Sequence, residues 1–485
     1  MSTLRQTITR AAKWSALDVF VRHGVQFVVA VVLARILTPE DFGVVAMLAL
    51  FVGVAGVFID SGFSAALIQR QSTTHAEEST VFYFNLFMGA ITTALLCVAA
   101  PLIADFFGYA ELRYLTYAMA FSLFVGAFGS IHSTLLSKEM NFKTAAKVSL
   151  GSSVMAGVLA IWMASQGHGV WSLAAHIVVS GTVTVLLLWW LHPWRPAWTF
   201  DIAALRSFFR FGGYTMAATL TDILSTNLYL ILIGKLYSAR DVGLYNRAQQ
   251  TQQMPITLMI LIVNRVAFSS FSKMAGDRTR LTSGLRQAQA LCMLVSMPAM
   301  VGIIILAEPL VLALFGAQWL ASVPILQVLG LGGLLWPMHV LNLNILMAQG
   351  RSDLFFKLTI LKKVITISVT VAASFHGVMA IAWTQVAVSV LAYFANTYYT
   401  KALLGYGGMR QLRDLAMNFL AVVPMAGIVY WIGSTMDSSP LMELAVASVA
   451  GGAVYLLTCR LLCAELLKEC LILAGIGTRS PTRSH

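Results

Sequence analysis

A few ionisable and amide side chains interrupt long apolar runs, and these are the groups in the sequence with chemistry to offer. Asp18 and Arg22 stand one helical turn apart, on one face of the first apolar run. Asp60 lies in the second run, and Asp222 and Arg265 interrupt two later ones. Charges within apolar spans are costly and default to a functional role. Arg22, Arg247 and Arg265 could line a cavity for a phosphate-bearing substrate, because the planar guanidinium makes paired bonds to phosphate oxygens. Asp18, Asp60 and Asp222 could then titrate or gate during ion coupling. Arg22, Asp18, Asp60 and Asp222 could instead be structural ion pairs that lock the helices together, and the residues alone leave both readings open.

A second cluster is the run Tyr245-Asn246-Arg247-Ala248-Gln249-Gln250-Thr251-Gln252-Gln253. A membrane helix cannot present so many amides to lipid, so they face other helices or water. Gln249 and Gln253 share one helical face, and Asn246 and Gln250 the adjoining one. Amides beside aromatic rings suit sugar hydroxyls, and hydrogen bonding between helices explains them as well. Arg210, Lys357, Lys362 and Lys363 fall near one membrane face and could meet anionic headgroups or guide a lipid diphosphate. Their placement also follows from orientation alone. No metal site is expected, since the five cysteines form no CxxC pair and no Cys/His spacing, and they read as packing thiols. No GxxxxGK[ST] phosphate loop occurs.

These residues must be positioned by membrane helices. Hydrophobic residues make up 58% of the 485 and charged residues 11%, too little charge for the surface of a soluble domain. Apolar windows of roughly 20 residues recur to the end of the chain. The expectation is an all-α polytopic membrane protein of fourteen helices: 12–36, 43–69, 80–104, 114–136, 144–166, 169–191, 206–236, 242–270, 284–307, 322–348, 354–375, 377–400, 412–434 and 440–462.

Twenty-five of the 32 lysines and arginines fall in segments that share one side if both termini are cytoplasmic. Arg35, Arg113, Lys235, Arg240 and Arg247 fall on the other side, while Arg22 and Arg265 lie inside helices. The net charge of +12 follows from this distribution and gives no reason to expect nucleic acid as a partner. The N-terminal run lacks a cleavage site and is expected to stay as a helix.

An internal repeat organises the spans. Ala34-Arg35-Ile36-Leu37-Thr38-Pro39-Glu40-Asp41-Phe42-Gly43-Val44 is matched by Gly234-Lys235-Leu236-Tyr237-Ser238-Ala239-Arg240-Asp241-Val242-Gly243-Leu244. Thr38 and Ser238 can cap the next helix, with Asp41 and Asp241 at the third position as in a capping box. Two halves of about 200 residues imply a six-helix lobe over 1–200, a second over 201–400, and two further helices with a tail over 401–485. Such lobes usually flank a central cavity and open it to each face in turn.

At these elements the chain resembles the Wzx-type polysaccharide flippases, especially the colanic-acid-exporter group of the multidrug/oligosaccharidyl-lipid/polysaccharide superfamily. The matching residues are Thr9 to Ala16, Leu33 to Gly43, Asp60-Ser61-Gly62-Phe63, Ala66 to Arg70, Phe211-Gly212, Gly243 to Asn246, Phe315 to Trp319 and Pro324 to Leu329. The resemblance implies that an undecaprenyl-diphosphate-linked oligosaccharide is moved from the inner to the outer leaflet of the bacterial inner membrane, for exopolysaccharide, capsule or O-antigen. It implies no cofactor, coupling to a proton or sodium gradient, and polysaccharide polymerase and export machinery as partners, alongside membrane lipids. Rival expectations are a lipid II flippase or an ion-coupled drug antiporter. A membrane glycan polymerase or ligase would need a larger, charged outer loop than this chain has.

Overall fold

The computed structural model describes residues 24–70, 72–274, 276–436 and 438–473; at 210, 257–270, 272–273 and 471–473 it describes the backbone alone. Among the described residues the chain is all α-helical, apart from short 3-10 turns at Ala317–Ser322 and Ser374–His376. Packing divides it into two compact units, Met1–Gly243 and Leu244–His485.

The first unit holds α1 (Gly24–Ile36), α2 (Pro39–Met47), α3 (Ala49–Asp60), α4 (Phe63–Gln69), α5 (His75–Phe107), α6 (Glu111–Lys138), α7 (Phe142–Ser165), α8 (Val170–Leu191) and α9 (Ile202–Leu236). The boundary falls within α10 (Ala239–Met274). The second unit continues with α11 (Arg278–Ile305), α12 (Ala307–Leu314), α13 (Val323–Gly333), α14 (Trp336–Ala348), α15 (Ser352–Ala373), α16 (Val378–Leu404), α17 (Gly408–Asp414), α18 (Ala416–Thr435), α19 (Pro440–Leu462) and α20 (Ala464–Leu473).

Twelve helical stretches among the described residues are long and apolar enough to cross a membrane, and the chain is a multi-pass membrane protein. The other two expected spans are α1, short over its described part, and α10, whose amide run dilutes its apolar character. The sequence repeat begins near 201, whereas packing assigns α9 to the first unit because it lies on α3, α4 and α5.

The expected span 43–69 is not one helix. Ser61 (φ 49°) and Gly62 (φ 72°) adopt left-handed backbone and separate α3 from α4. The Ser61 hydroxyl donates to the Phe58 carbonyl at 2.6 Å, which closes the end of α3. A Cβ on Gly62 would overlap the Gly212 carbonyl of α9, so this bend is also a close backbone crossing. Phe63, Leu67, Phe82, Leu135 and Phe208 bury the apolar sides of α4, α5, α6 and α9 beside it. The expected span 322–348 is also divided, at Leu334-Leu335, where Pro337 within the first turn of α14 has no N–H to continue α13.

Both repeat corners form the expected caps. Thr38 Oγ1 accepts from the Asp41 amide at 3.3 Å and Asp41 Oδ2 accepts from the Thr38 amide at 2.9 Å. Ser238 donates to Asp241 Oδ2 at 2.6 Å and accepts from the Asp241 amide at 3.1 Å. The corners then dock on each other reciprocally. A Cβ on Gly43 would overlap the Ala239 carbonyl, and one on Gly243 would overlap the equivalent Pro39 carbonyl. Gly43→Ala and Gly243→Ala should each cost about 1–3 kcal/mol from overpacking against backbone that cannot rotate away. Thermal unfolding of the purified protein in detergent reads this, and unchanged midpoints in both variants would refute the contact.

Candidate functional site

In the first unit, Asp18 and Arg22 lie outside the described residues, and at Arg210 only the helical backbone is described. Asp60 is half-buried at the end of α3, where its carboxylate accepts from the Ser64 hydroxyl. Ser64 is also 2.7 Å from Thr134 Oγ1, so Asp60 belongs to a small polar knot between α4 and α6. Asp222 lies on an exposed face of α9 with Thr219 and Thr226, one stripe at helical spacing. The Phe211–Leu236 stretch is apolar enough to cross a membrane, and little of its most apolar part is buried within the protein. The Thr219 hydroxyl donates to the Thr215 carbonyl of its own helix at 2.9 Å, whereas a carboxylate such as that of Asp222 cannot rest in hydrocarbon and must face water or a polar partner.

In the second unit the amide run divides by face. Gln250 and Gln253 are exposed, Asn246 and Gln249 half-buried, and Tyr245, Arg247, Thr251 and Gln252 buried. Gln249 Oε1 is buried with no hydrogen-bond partner among the described residues. Arg247 is 5% exposed, and its guanidinium carbon lies 5.0 Å from the Phe315 ring centre and 5.2 Å from that of Trp319. The rings belong to the Phe315-Gly316-Ala317-Gln318-Trp319 element, and Trp319 is wholly buried. Sequence reasoning placed Arg247 among the cavity residues and did not foresee these rings beneath it. Gln252, also not singled out, packs where Gly333 has no side chain, since a Cβ there would collide with its amide. Arg265 is in α10, and only its backbone is described.

The lysines of α15 differ from one another. Lys357 is exposed, Lys363 is half-buried, and Lys362 turns inward to donate to Asn396 Oδ1 at 3.1 Å. Asn396 Nδ2 lies 3.3 Å from His339 Nδ1, and His339 Nε2 lies 3.1 Å from Ser389 Oγ, which donates to the Gly332 carbonyl at 2.9 Å. A second polar knot joins Gln289, Asn342 and Gln411, all fully buried. At one end of the bundle a cavity of about 350 Å³ is lined by Arg278, Arg286, Tyr406, Arg410 and Asp414 among others. Asp414 accepts from Tyr406 at 2.9 Å and pairs with Arg286 at 3.0 Å, which fixes two walls of that cavity. In the sequence these arginines stand only as orientation signals, because nothing in their spacing shows that α11 and the 404–414 segment meet. No group of three or more His, Cys, Asp or Glu that could hold a metal ion occurs among the described residues.

Residues 32–324 match the family described as polysaccharide biosynthesis protein. The chain belongs to that family. It is 28% identical over 463 residues to the teichuronic acid biosynthesis protein TuaB of Bacillus subtilis, covering 94% of this chain and 96% of that one. It is 30% identical over 333 residues to the succinoglycan biosynthesis transport protein ExoT of Rhizobium meliloti, covering 68% and 67%. Among solved structures, the lipid II flippase MurJ in an inward closed conformation aligns with a TM-score of 0.78 over 93% of this chain and 99% of that one. At 16% identity that likeness establishes the fold.

Proposed function

We propose that the protein is a flippase that carries an undecaprenyl-diphosphate-linked oligosaccharide from the inner to the outer leaflet of the bacterial inner membrane. In this reading both termini are cytoplasmic, the two sequence halves act as alternating lobes, and no covalent chemistry is performed. The observation that carries it is the Thr219–Asp222–Thr226 stripe, exposed on a helix of membrane-spanning length in a family of polysaccharide biosynthesis proteins. Such a stripe suits a path for glycan hydroxyls, to which hydroxyl and carboxylate side chains offer hydrogen bonds. Gln250 and Gln253, exposed on α10 of the second unit, offer hydrogen bonds of the same kind. The arginine-lined cavity and exposed Lys357 supply positive charge for phosphate-bearing headgroups.

Deleting the gene should leave a lipid-linked glycan accumulated on the cytoplasmic side and strip the cell surface of one polymer. The accumulated lipid is identified by mass spectrometry. Accumulation of undecorated lipid II, with the surface polymer intact, would instead assign the cargo to peptidoglycan synthesis. Asp222→Asn with Thr219→Val is expected to reduce surface polymer at least severalfold with the protein still in the membrane. Wild-type polymer in that double variant would remove the stripe from the path.

A further inference from the structure

The chain of contacts through Lys362, Asn396, His339 and Ser389 has a property that none of its members has alone. It joins three helices of the second unit: Lys362 on α15, His339 on α14, and Ser389 and Asn396 on α16. Asn396 is fully buried and the other three are half-buried, all on helices within membrane-spanning stretches. The titratable groups that face His339 among the described residues are Lys362, from α15, and Tyr393, from α16. The Tyr393 hydroxyl is engaged elsewhere, donating to the Gly408 carbonyl at 2.8 Å.

Donor and acceptor rules then fix every proton. An ammonium only donates, so Lys362 requires Asn396 to present its carbonyl oxygen. The Asn396 amino group must therefore face His339, and it too only donates, so His339 Nδ1 must be a bare acceptor. The imidazole proton is left on Nε2, which donates to Ser389 Oγ, and Ser389 passes its own proton to the Gly332 carbonyl. All four side chains are satisfied with one positive charge, on Lys362, and a neutral His339. Protonating His339 at Nδ1 would set two donors against each other. The conflict is relieved if the Asn396 amide turns over, offering its oxygen to His339 and its amino group to Lys362. That orientation requires an acceptor at Lys362, which the amine becomes only after losing a proton.

We infer that Lys362, Asn396 and His339 form a one-proton site, in which a proton taken up at His339 Nδ1 is matched by one released from Lys362 Nζ. The turn of Asn396 is the switch. In one state α15 is tied to α16 by a charge-assisted hydrogen bond, and in the other by a weaker neutral one. The opposite arm, through Ser389, holds the Gly332 carbonyl beside the Leu334-Leu335 break and is the same in both states. Exchange at this site therefore alters how α15 is held while α14 stays anchored. Resting on the transport reading above, the cycle closes when the His339 imidazolium gives its Nδ1 proton to the Lys362 amine and Asn396 turns back, so that one proton enters at His339 and one leaves at Lys362 for each passage of cargo. One positive charge is present in both states, on Lys362 in the first and on His339 in the second, so the site repels a sodium ion and the ion it handles is the proton.

Nuclear magnetic resonance of the full-length protein, labelled with ¹⁵N-histidine in nanodiscs, tests the site without any cargo. The His339 resonances are assigned by their loss in His339→Gln. His339 should be the neutral Nε2–H tautomer in the wild type, and Lys362→Met should raise its titration midpoint by about one unit or more as the opposing charge is removed. Lys362→Gln, which keeps a polar contact to Asn396, should do the same if the methionine variant folds poorly. An Nδ1–H tautomer, or a midpoint unmoved in both variants, overturns the one-proton site. Lys362→Arg keeps the donor and the charge but cannot release the proton, so it should leave His339 neutral while abolishing surface polymer. Normal polymer in Lys362→Arg overturns the coupling. A gene deletion with unchanged surface polymer would sink the transport reading instead, and the His339 titration would still decide the site.

Discussion

Arg247→Ala is expected to abolish polymer export and, in addition, to lower the yield of folded protein. The guanidinium is 5% exposed and lies over Phe315 and Trp319, both buried. A desolvated cation–π contact is worth about 2 kcal/mol or more. Truncation also removes the long stem that fills the space above the rings, adding a cavity term. The residue can serve transport in two ways that one variant does not separate: as a wall of the cargo path, or as the clamp that seats the 315–319 turn on α10. Lys at this position keeps the charge and loses the planar stack. Under the clamp reading, Arg247→Lys and Trp319→Leu should each lower the unfolding midpoint, and the double variant should show a coupling of about 1 kcal/mol or more. Strict additivity would separate the arginine from the rings and return it to the cargo path.

The parts legible in the sequence are those written in local pattern. Apolar runs gave the spans, and Thr38, Asp41, Ser238 and Asp241 announced both corners because a capping box is a contact between near neighbours. The repeat paired those corners as equivalent, though not as partners; that Gly43 and Gly243 cross face to face depends on tertiary packing. The break at Ser61-Gly62 was hidden because a serine with positive φ has no sequence marker, and Gly62 alone is tolerated within many helices. The polar chain of α14, α15 and α16 was invisible for another reason. Each helix contributes one or two ordinary polar residues, and Lys362 read as one of several basic residues near a membrane face. Its meaning lies in the inward turn of its side chain, which spacing cannot show. Gln411 fell in a stretch read as the approach to a span, yet it lies in the separate helix α17 and is fully buried.

That glutamine carries the second large prediction. Its Oε1 accepts from Gln289 Nε2 at 2.9 Å and from Asn342 Nδ2 at 3.0 Å, while its Nε2 donates to Asn342 Oδ1 at 3.0 Å and to the Tyr406 carbonyl at 3.1 Å. One amide thus joins α11, α14 and α17 and uses all its capacity to do so. Gln411→Leu keeps the approximate volume but strands two buried amides and a backbone carbonyl, at about 1–3 kcal/mol for each group left without a partner. The polar contacts of a membrane bundle are often worth less, about 0.6 kcal/mol on average, because the disordered state finds substitutes. Here the stranded groups have no access to water, so the larger figure should govern and the folded fraction should fall severalfold. A second substitution tells the two apart. If the cost comes from stranded amides, Asn342→Leu added to Gln411→Leu should recover part of the lost stability, since an apolar pair leaves fewer groups wanting partners. If the double variant is less stable than either single one, the knot acts through shape rather than through its hydrogen bonds. Thermal unfolding in one detergent, with all three variants measured together, decides between them.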